Sequence, residues 1–394
     1  MSAYDVVIVG AGVHGASLAF HLARRGARVA VLERKFVAAG ATGRSSGLVR
    51  MHYDLRLEAA LVWASYPYFR HWDEMVGAGD CGFVRTGFLR LVPPAYEDAL
   101  RANVRMQQEL GIPTLLVRAD DVRRLAPYLR TDDFRVAAYE PESGYADPPA
   151  TAQGFLEAAR QHGAVLRTGA AVERILTTPD GSAVQGVRTA DGATWAAEQV
   201  VLAAGPWAPR LAATAGLDLP LTTWSHDVMF VRRPAGARWS PADLTVIDDL
   251  NEMYFRPERG NLTLVGLEVG NPLGEDPDTP TEHPHPGFVA RAIAHLTRRV
   301  PALLEGSLHS AHRGYDGLSE DQRAILGPAG PDGLWLNVGH SGTGFKIAPA
   351  VGRALSEWML DGAPRVVDIR PFALERFAAG RPLRPEHPYA DIWH

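Results

Sequence analysis

The sequence predicts an α/β fold of about two domains. One opens on a buried parallel βαβ unit, and the other is built on a mixed or antiparallel sheet. Three observations predict it. At 394 residues the chain is too long for one small core. Val6–Val9 and Val29–Leu32 are continuous apolar runs, as strands covered on both faces require, with a helical stretch between them. From Leu219 to Gly270 short strand-like segments follow in series: DVMFVRR, LTVID, EMYFRP and NLTLVGLEVG.

The elements follow in order. After the first strand come Gly10, Gly12 and Gly15, then a helix over Ala16–Arg25 stopped by Gly26. The second strand closes on Glu33. Gly40–Gly47 is a loop of small residues, and a long helical pattern runs from Leu55 to Val76. Phe88–Val92 reads as a strand, Tyr96–Leu110 as a helix ended by Gly111, and Pro148–His162 as another helix. Ala164–Ile175 holds short strands, and Gln199–Leu211 is a buried strand entering a Gly-Pro turn. Asn271–Pro286, rich in Pro and Asp, reads as a surface loop, Gly287–Arg299 as a helix and Leu334–Gly339 as a last buried strand. The final helix is expected over Ala348–Asp361, with Pro349 in its first turn and Gly362 past its end.

Composition excludes several functions. A net charge of -5 offers no basic surplus for nucleic acid. Cys81 is the single cysteine, so neither an intrachain disulfide nor a multi-cysteine metal site is available, and no metal is expected. No apolar run is long enough for a membrane span, and the opening lacks a secretory pattern, so a cytoplasmic location is expected. Of 40 basic residues only Lys35 and Lys346 are lysines. Lys346 stands in a glycine-rich loop at a helix start, where a compact, hydrated point charge differs in kind from a planar guanidinium.

Gly10-Ala-Gly12-Val13-His14-Gly15 fits the G-x-G-x-x-G fingerprint in its required setting of strand, turn and helix. Gly10 permits the tight turn, Gly12 lets the backbone approach a pyrophosphate, and Gly15 allows close helix–strand packing. The helix N-terminus presents free N–H groups to phosphate, and Glu33 can accept from a ribose diol. The pattern predicts a Rossmann-like dinucleotide site. No second fingerprint occurs, as a flavoenzyme fed by NAD(P)H would need.

Four stretches extend this: VVIVGAGVHGASLAFHLARRG, ATGRSSGLVR, VVLAAGPWAPRL and GLWLNVGHSGTGFKIAPAVGRALSEW. On them the chain resembles the FAD-dependent D-amino-acid oxidase superfamily, in the branch of sarcosine oxidases, dimethylglycine dehydrogenase and glycine oxidase. The resemblance implies a Rossmann-like FAD-binding domain of glutathione-reductase type, assembled from residues 1–85, 143–216 and 321–394. An interleaved α+β substrate domain would take 86–142 and 217–320. It implies oxidation of the C–N bond of an amino acid or N-alkyl amino acid, of the sarcosine, glycine or cyclic imino acid type, by hydride transfer to flavin N5 to give an imine.

Carried over residue by residue, the resemblance puts Lys346 and Arg50 on the substrate carboxylate. The N–H groups of Gly342, Thr343, Gly344 and Phe345 would face the flavin. Tyr254 and His52 would stand near the pocket, and His340 and His226 near the ring. Met51, Trp224, Met229 and Phe230 are candidate walls. The cofactor set is completed by Arg34, Thr42, Arg44, Ser45, Ser46, Gly47, Val172, Ala204, Gly205 and Trp207. Relatives that bind FAD covalently use a cysteine, absent here, or a histidine where this chain has Arg44, so non-covalent FAD is expected. The lysine that promotes oxygen reactivity in monomeric sarcosine oxidases is missing from NLTLVGLEVG. The acceptor is therefore left open between O2 and a quinone, an electron-transfer flavoprotein or a partner subunit; an oligomer is possible. A non-catalytic FAD-bound scaffold and an NADPH-dependent hydroxylase are the competing readings.

Overall fold

The first strand, Tyr4–Val9, lies in the middle of a sheet and is buried along most of its length. It pairs in parallel with Val29–Glu33 on one side and Thr194–Leu202 on the other. Val165–Thr168 and Leu334–Val338 continue the parallel order outward. Val172–Thr177, Val184–Thr189 and Ile325–Pro328 join antiparallel. Strands so enclosed need covering on both faces, which explains their unbroken apolar runs. Helices Val13–Arg24, Pro148–Gln161 and Gly344–Asp361 pack together on one face. This computed structural model describes residues 4–236 and 243–389; the parts of the expected segments at 1–3, 237–242 and 390–394 lie outside the described residues.

The second sheet also has eight strands, ordered Ser307–Ser319, Leu221–Arg232, Leu262–Leu267, Met253–Glu258, Thr245–Asp248, Phe88–Leu91, Val136–Glu140 and Leu115–Arg118. It is antiparallel except where Thr245–Asp248 meets Phe88–Leu91 in parallel. The expected α/β architecture is observed, with a first sheet whose core is parallel and whose margins are antiparallel, and a second, mixed sheet.

Several boundaries differ from the sequence reading. The helix expected over Leu55–Val76 ends at Arg70, where His71 leaves helical geometry; a separate turn, Trp72–Met75, follows. Ser307–Ser319, the longest strand, carries His, Arg, Gly and Ser rather than an apolar alternation; its beginning is an exposed edge. The last helix starts at Gly344, four residues early, so Lys346 is a helical residue and Pro349 is interior. An interior proline removes a helix hydrogen bond. Here buried Ser65, from helix Arg56–Arg70, inserts beside it: its Oγ accepts from the Ala350 N–H at 3.0 Å and donates to the Ile347 carbonyl at 3.2 Å.

Candidate active site

A cavity of about 840 Å3 runs from the fingerprint to the inner face of the second sheet. At its first end Gly10 has φ +112°, and a Cβ there would lie 2.5 Å from the Ala203 carbonyl oxygen. A Cβ on Gly15 would meet the Gly10 oxygen at 2.0 Å. Glycine is therefore required sterically at both positions. The N-terminus of helix Val13–Arg24 has Gly12 as its cap residue, and Thr42 Oγ1 accepts the Val13 N–H instead at 3.0 Å. Glu33 accepts from the Ala11 N–H at 3.0 Å and the Lys35 N–H at 2.8 Å, one on each oxygen. Each carboxylate oxygen keeps further acceptor capacity, and Glu33 lines the lumen.

The loop at Asn271–Pro286 does more than cover surface: Pro277–Glu282 line the cavity. The reason is a set of bonds across its mouth. Asp278 accepts from Arg34 at 2.8 Å, from the Trp207 indole at 3.0 Å and from Arg210 at 2.6 Å. The Arg34 guanidinium lies 4.2 Å from the Trp207 ring centre. Arg44 donates to Thr281 Oγ1 at 3.0 Å. Val172, Ala204, Gly205, Ser45 and Ser46 line the same space.

Midway, the His14 and His340 rings stack at 3.4 Å. His14 Nε2–H donates to the Gly344 carbonyl, and His340 Nε2 meets Asn337 Oδ1 at 3.1 Å. Burial lowers both pKa values, that of His340 to about 3, so both imidazoles are neutral. Gly342 donates its N–H to Asp316 Oδ2 at 2.7 Å, and the Thr343 N–H goes to the His340 carbonyl. This corrects the expectation that all four N–H groups from Gly342 to Phe345 face a ligand. The open donors are those of the helix's own first turn, from Gly344 onward.

At the far end Arg50 and Lys346 line one lumen and flank one ring: their cationic atoms lie 4.3 Å and 5.4 Å from the centre of Tyr53. Arg50 is held by the His52 carbonyl. Burial, then the charge of Arg50, pull the Lys346 pKa well below its usual value; Glu58 acts in the opposite direction. The second sheet supplies the opposing wall. Val228, Gly266, Tyr254 and Ile247 stand in register across four strands, and Val228, Tyr254 and Ile247 line the cavity. A Cβ at Gly266 would overlap the Tyr254 ring at 2.2 Å, so the glycine lets that ring lie across the neighbouring strand. Burial raises the Tyr254 pKa, and the phenol keeps its proton.

Most of the expected site residues line this cavity; four do not. His52 is fully buried outside it, with Nε2 at 2.7 Å from the Tyr389 hydroxyl. Gly15 is spent on packing against Gly10. Gly47 sits at φ +68° with Ala146 O where a Cβ would go. Thr343 Oγ1 donates to the His340 carbonyl at 2.8 Å. Of the candidate walls, Trp224 lines the cavity, whereas Met51, Met229 and Phe230 do not; Met51 and Met229 are core residues. Sequence reasoning missed Glu268, Asp316, Asn337 and the loop residues. Glu268 sat in the quoted strand NLTLVGLEVG, and alternation from Gly266 would have found it.

The profile of the FAD dependent oxidoreductase family, DAO, matches residues 5–358. The chain belongs to the DAO family of FAD-dependent oxidoreductases. It is 28% identical to glycine oxidase of Geobacillus kaustophilus over 95% of this chain and 97% of that protein. Dimethylglycine dehydrogenase of Rattus norvegicus is 27% identical over 91% of this chain, which spans 43% of that enzyme's length. The crystal structure of L-proline dehydrogenase from P. horikoshii superposes with a TM-score of 0.88, covering 97% of this chain and 100% of that one at 24% identity. The FAD of a DAO enzyme fits the residues present: a sterically enforced glycine turn, helix N–H groups, and Glu33 at the end of the second strand. Among the described residues no cluster could hold a metal ion, and no helix is long and apolar enough to cross a membrane.

Proposed function

We propose that this DAO enzyme oxidises the C–N bond of a small amino acid or N-alkyl amino acid with a free carboxylate. One observation carries the reading: Arg50 and Lys346, remote in sequence, are buried basic side chains that line one lumen and flank one aromatic ring. FAD, when bound, supplies the hydride acceptor. The chain's own residues bind and orient. Arg50 and Lys346 grip the carboxylate, which fixes the amine carbon in one position. The phenol of Tyr254 and the rings of Trp224 and His226 wall the lumen. Neutral His14 and His340 add no charge beside the cofactor. The first helical turn from Gly344 directs its positive end at the same space. The division into a cofactor part (1–85, 143–216, 321–394) and a substrate part (86–142, 217–320) belongs to this reading, as does non-covalent FAD. The relatives' names support the substrate class, since glycine, dimethylglycine and proline all carry a carboxylate.

The test is an anaerobic screen of D-, L- and N-methyl amino acids against the FAD-loaded protein. At least one is expected to bleach the flavin. Bleaching by NADPH alone, or by nothing, refutes the reading in favour of a hydroxylase or a scaffold. A second reading, a dehydrogenase with a non-oxygen acceptor, is favoured by one observation: strand Leu262–Leu267 carries no lysine and leads into Glu268, which lines the lumen. Slow reoxidation in air after bleaching supports it; fast reoxidation rejects it.

A further inference from the structure

The far end of the cavity is lined by an acid as well as two basic side chains. Strand Leu262–Leu267 leads directly into Glu268, whose N–H is fixed by the Glu252 carbonyl at 2.8 Å. Side chains alternate along a strand, so Glu268 falls on the face of Gly266, the residue paired with Tyr254. Glu268, Tyr254, Arg50 and Lys346 all line the same lumen. Every element packed around Glu268 contributes a charged or titratable group. Asp248 ends strand Thr245–Asp248 and Asp249 follows it, and Arg90 comes from Phe88–Leu91. Arg90 forms a two-pronged pair with Asp249, at 2.9 and 3.0 Å. Arg50 lines the same lumen and its charge acts on Glu268, Tyr254 lies on the same sheet face, and His226 from Leu221–Arg232, also lining the lumen, is kept neutral by burial.

We propose that Glu268 receives the amino nitrogen of the substrate, so that the enzyme selects a compact zwitterion reaching from Arg50 and Lys346 to Glu268. This rests on the carboxylate reading above. Two cations alone would attract any small anion, and an acid in the same lumen adds the requirement for a positive nitrogen. The same carboxylate serves as proton acceptor. An N–H bond of the bound ammonium breaks as an O–H bond forms on Glu268, leaving a neutral amine with its lone pair free and a neutral carboxyl. Burial, then the charge of Asp249, push the Glu268 pKa well above that of an ordinary glutamate, against the pull of Arg90 and Arg50. A carboxylate shifted in this direction takes up a proton more readily than an ordinary glutamate does.

Two ligands of nearly equal shape isolate the claim: glycine betaine, a quaternary zwitterion with no proton to give, and 3,3-dimethylbutanoate, its carbon isostere without the positive charge. Both are titrated into the FAD-loaded enzyme, following the flavin spectrum from pH 6 to 9. Wild type is expected to prefer betaine by about tenfold or more at high pH, as a charge-assisted contact gives. The preference should fade as falling pH protonates Glu268. In Glu268→Gln it should be absent at every pH, with binding of the isostere retained. Equal binding of both ligands by wild type throughout the range, or a preference surviving in Glu268→Gln, overturns the proposal and leaves the carboxylate reading standing. Failure of the isostere to bind wild type removes the carboxylate reading, and this proposal with it. Should Glu268→Gln not take up FAD, the pH dependence of the wild-type preference decides.

Discussion

Lys346→Met separates what the two cations do. Lys346 is about 5% exposed, sits beside Arg50, and has Glu58 as the acid that supports its charge. Glu58 in turn is engaged by Arg323 at 3.2 Å. Methionine has nearly the same length and no charge, so the packing against Tyr53 survives. Removing a desolvated amine beside a guanidinium relieves repulsion, so the melting temperature is expected to hold or rise. Binding of a carboxylate should weaken by roughly 1.5–3 kcal/mol, the usual value of a charge-assisted hydrogen bond, or about one to two orders of magnitude in Kd. The pH dependence carries a sign. Because the Lys346 pKa is lowered in the folded protein, the neutral form gains population as pH rises through that value. A bound carboxylate favours the charged form, so binding takes up a proton. Affinity should therefore fall with rising pH, by up to about tenfold per unit above the lysine's pKa. Spectral titration of the FAD-loaded protein with 3,3-dimethylbutanoate, pH 6 to 10, measures both quantities. A variant with wild-type Kd and wild-type pH slope would refute the reasoning, because the lysine would then not touch the ligand.

Ser65→Ala should cost about 1–3 kcal/mol, seen as a lower denaturation midpoint, because the Ala350 N–H and the Ile347 carbonyl would be left buried beside Pro349 without their hydroxyl partner. An unchanged midpoint would mean that the helix does not depend on this insertion. Acid precipitation should release all the yellow colour into the supernatant, since Arg44 stands where a histidine attachment would be and the single cysteine, Cys81, is buried in the core; colour in the pellet would contradict non-covalent FAD.

The sequence by itself determined the features whose cause is local. Gly10, Gly12 and Gly15 act within one turn, and their strand–turn–helix setting spans a short stretch of chain, so the nucleotide end was legible in order and in chemistry. The same holds for the buried strand runs and the glycine-stopped helices. Even Lys346 stood out, as one of two lysines, although its place inside a helix with Pro349, where Ser65 inserts from far away in the chain, did not. The tertiary structure alone decided what faces what. His52 reads like a pocket residue but is turned toward Tyr389, while Glu268 joins the lumen because its strand's register puts it on the face of Tyr254. The loop at Asn271–Pro286 becomes a wall only because Asp278 finds Arg34, Trp207 and Arg210. The physical reason is the range of the interactions. Backbone geometry and helix stops are set by neighbouring residues, whereas a lumen is assembled by burial and by charge pairing between segments that no local pattern relates.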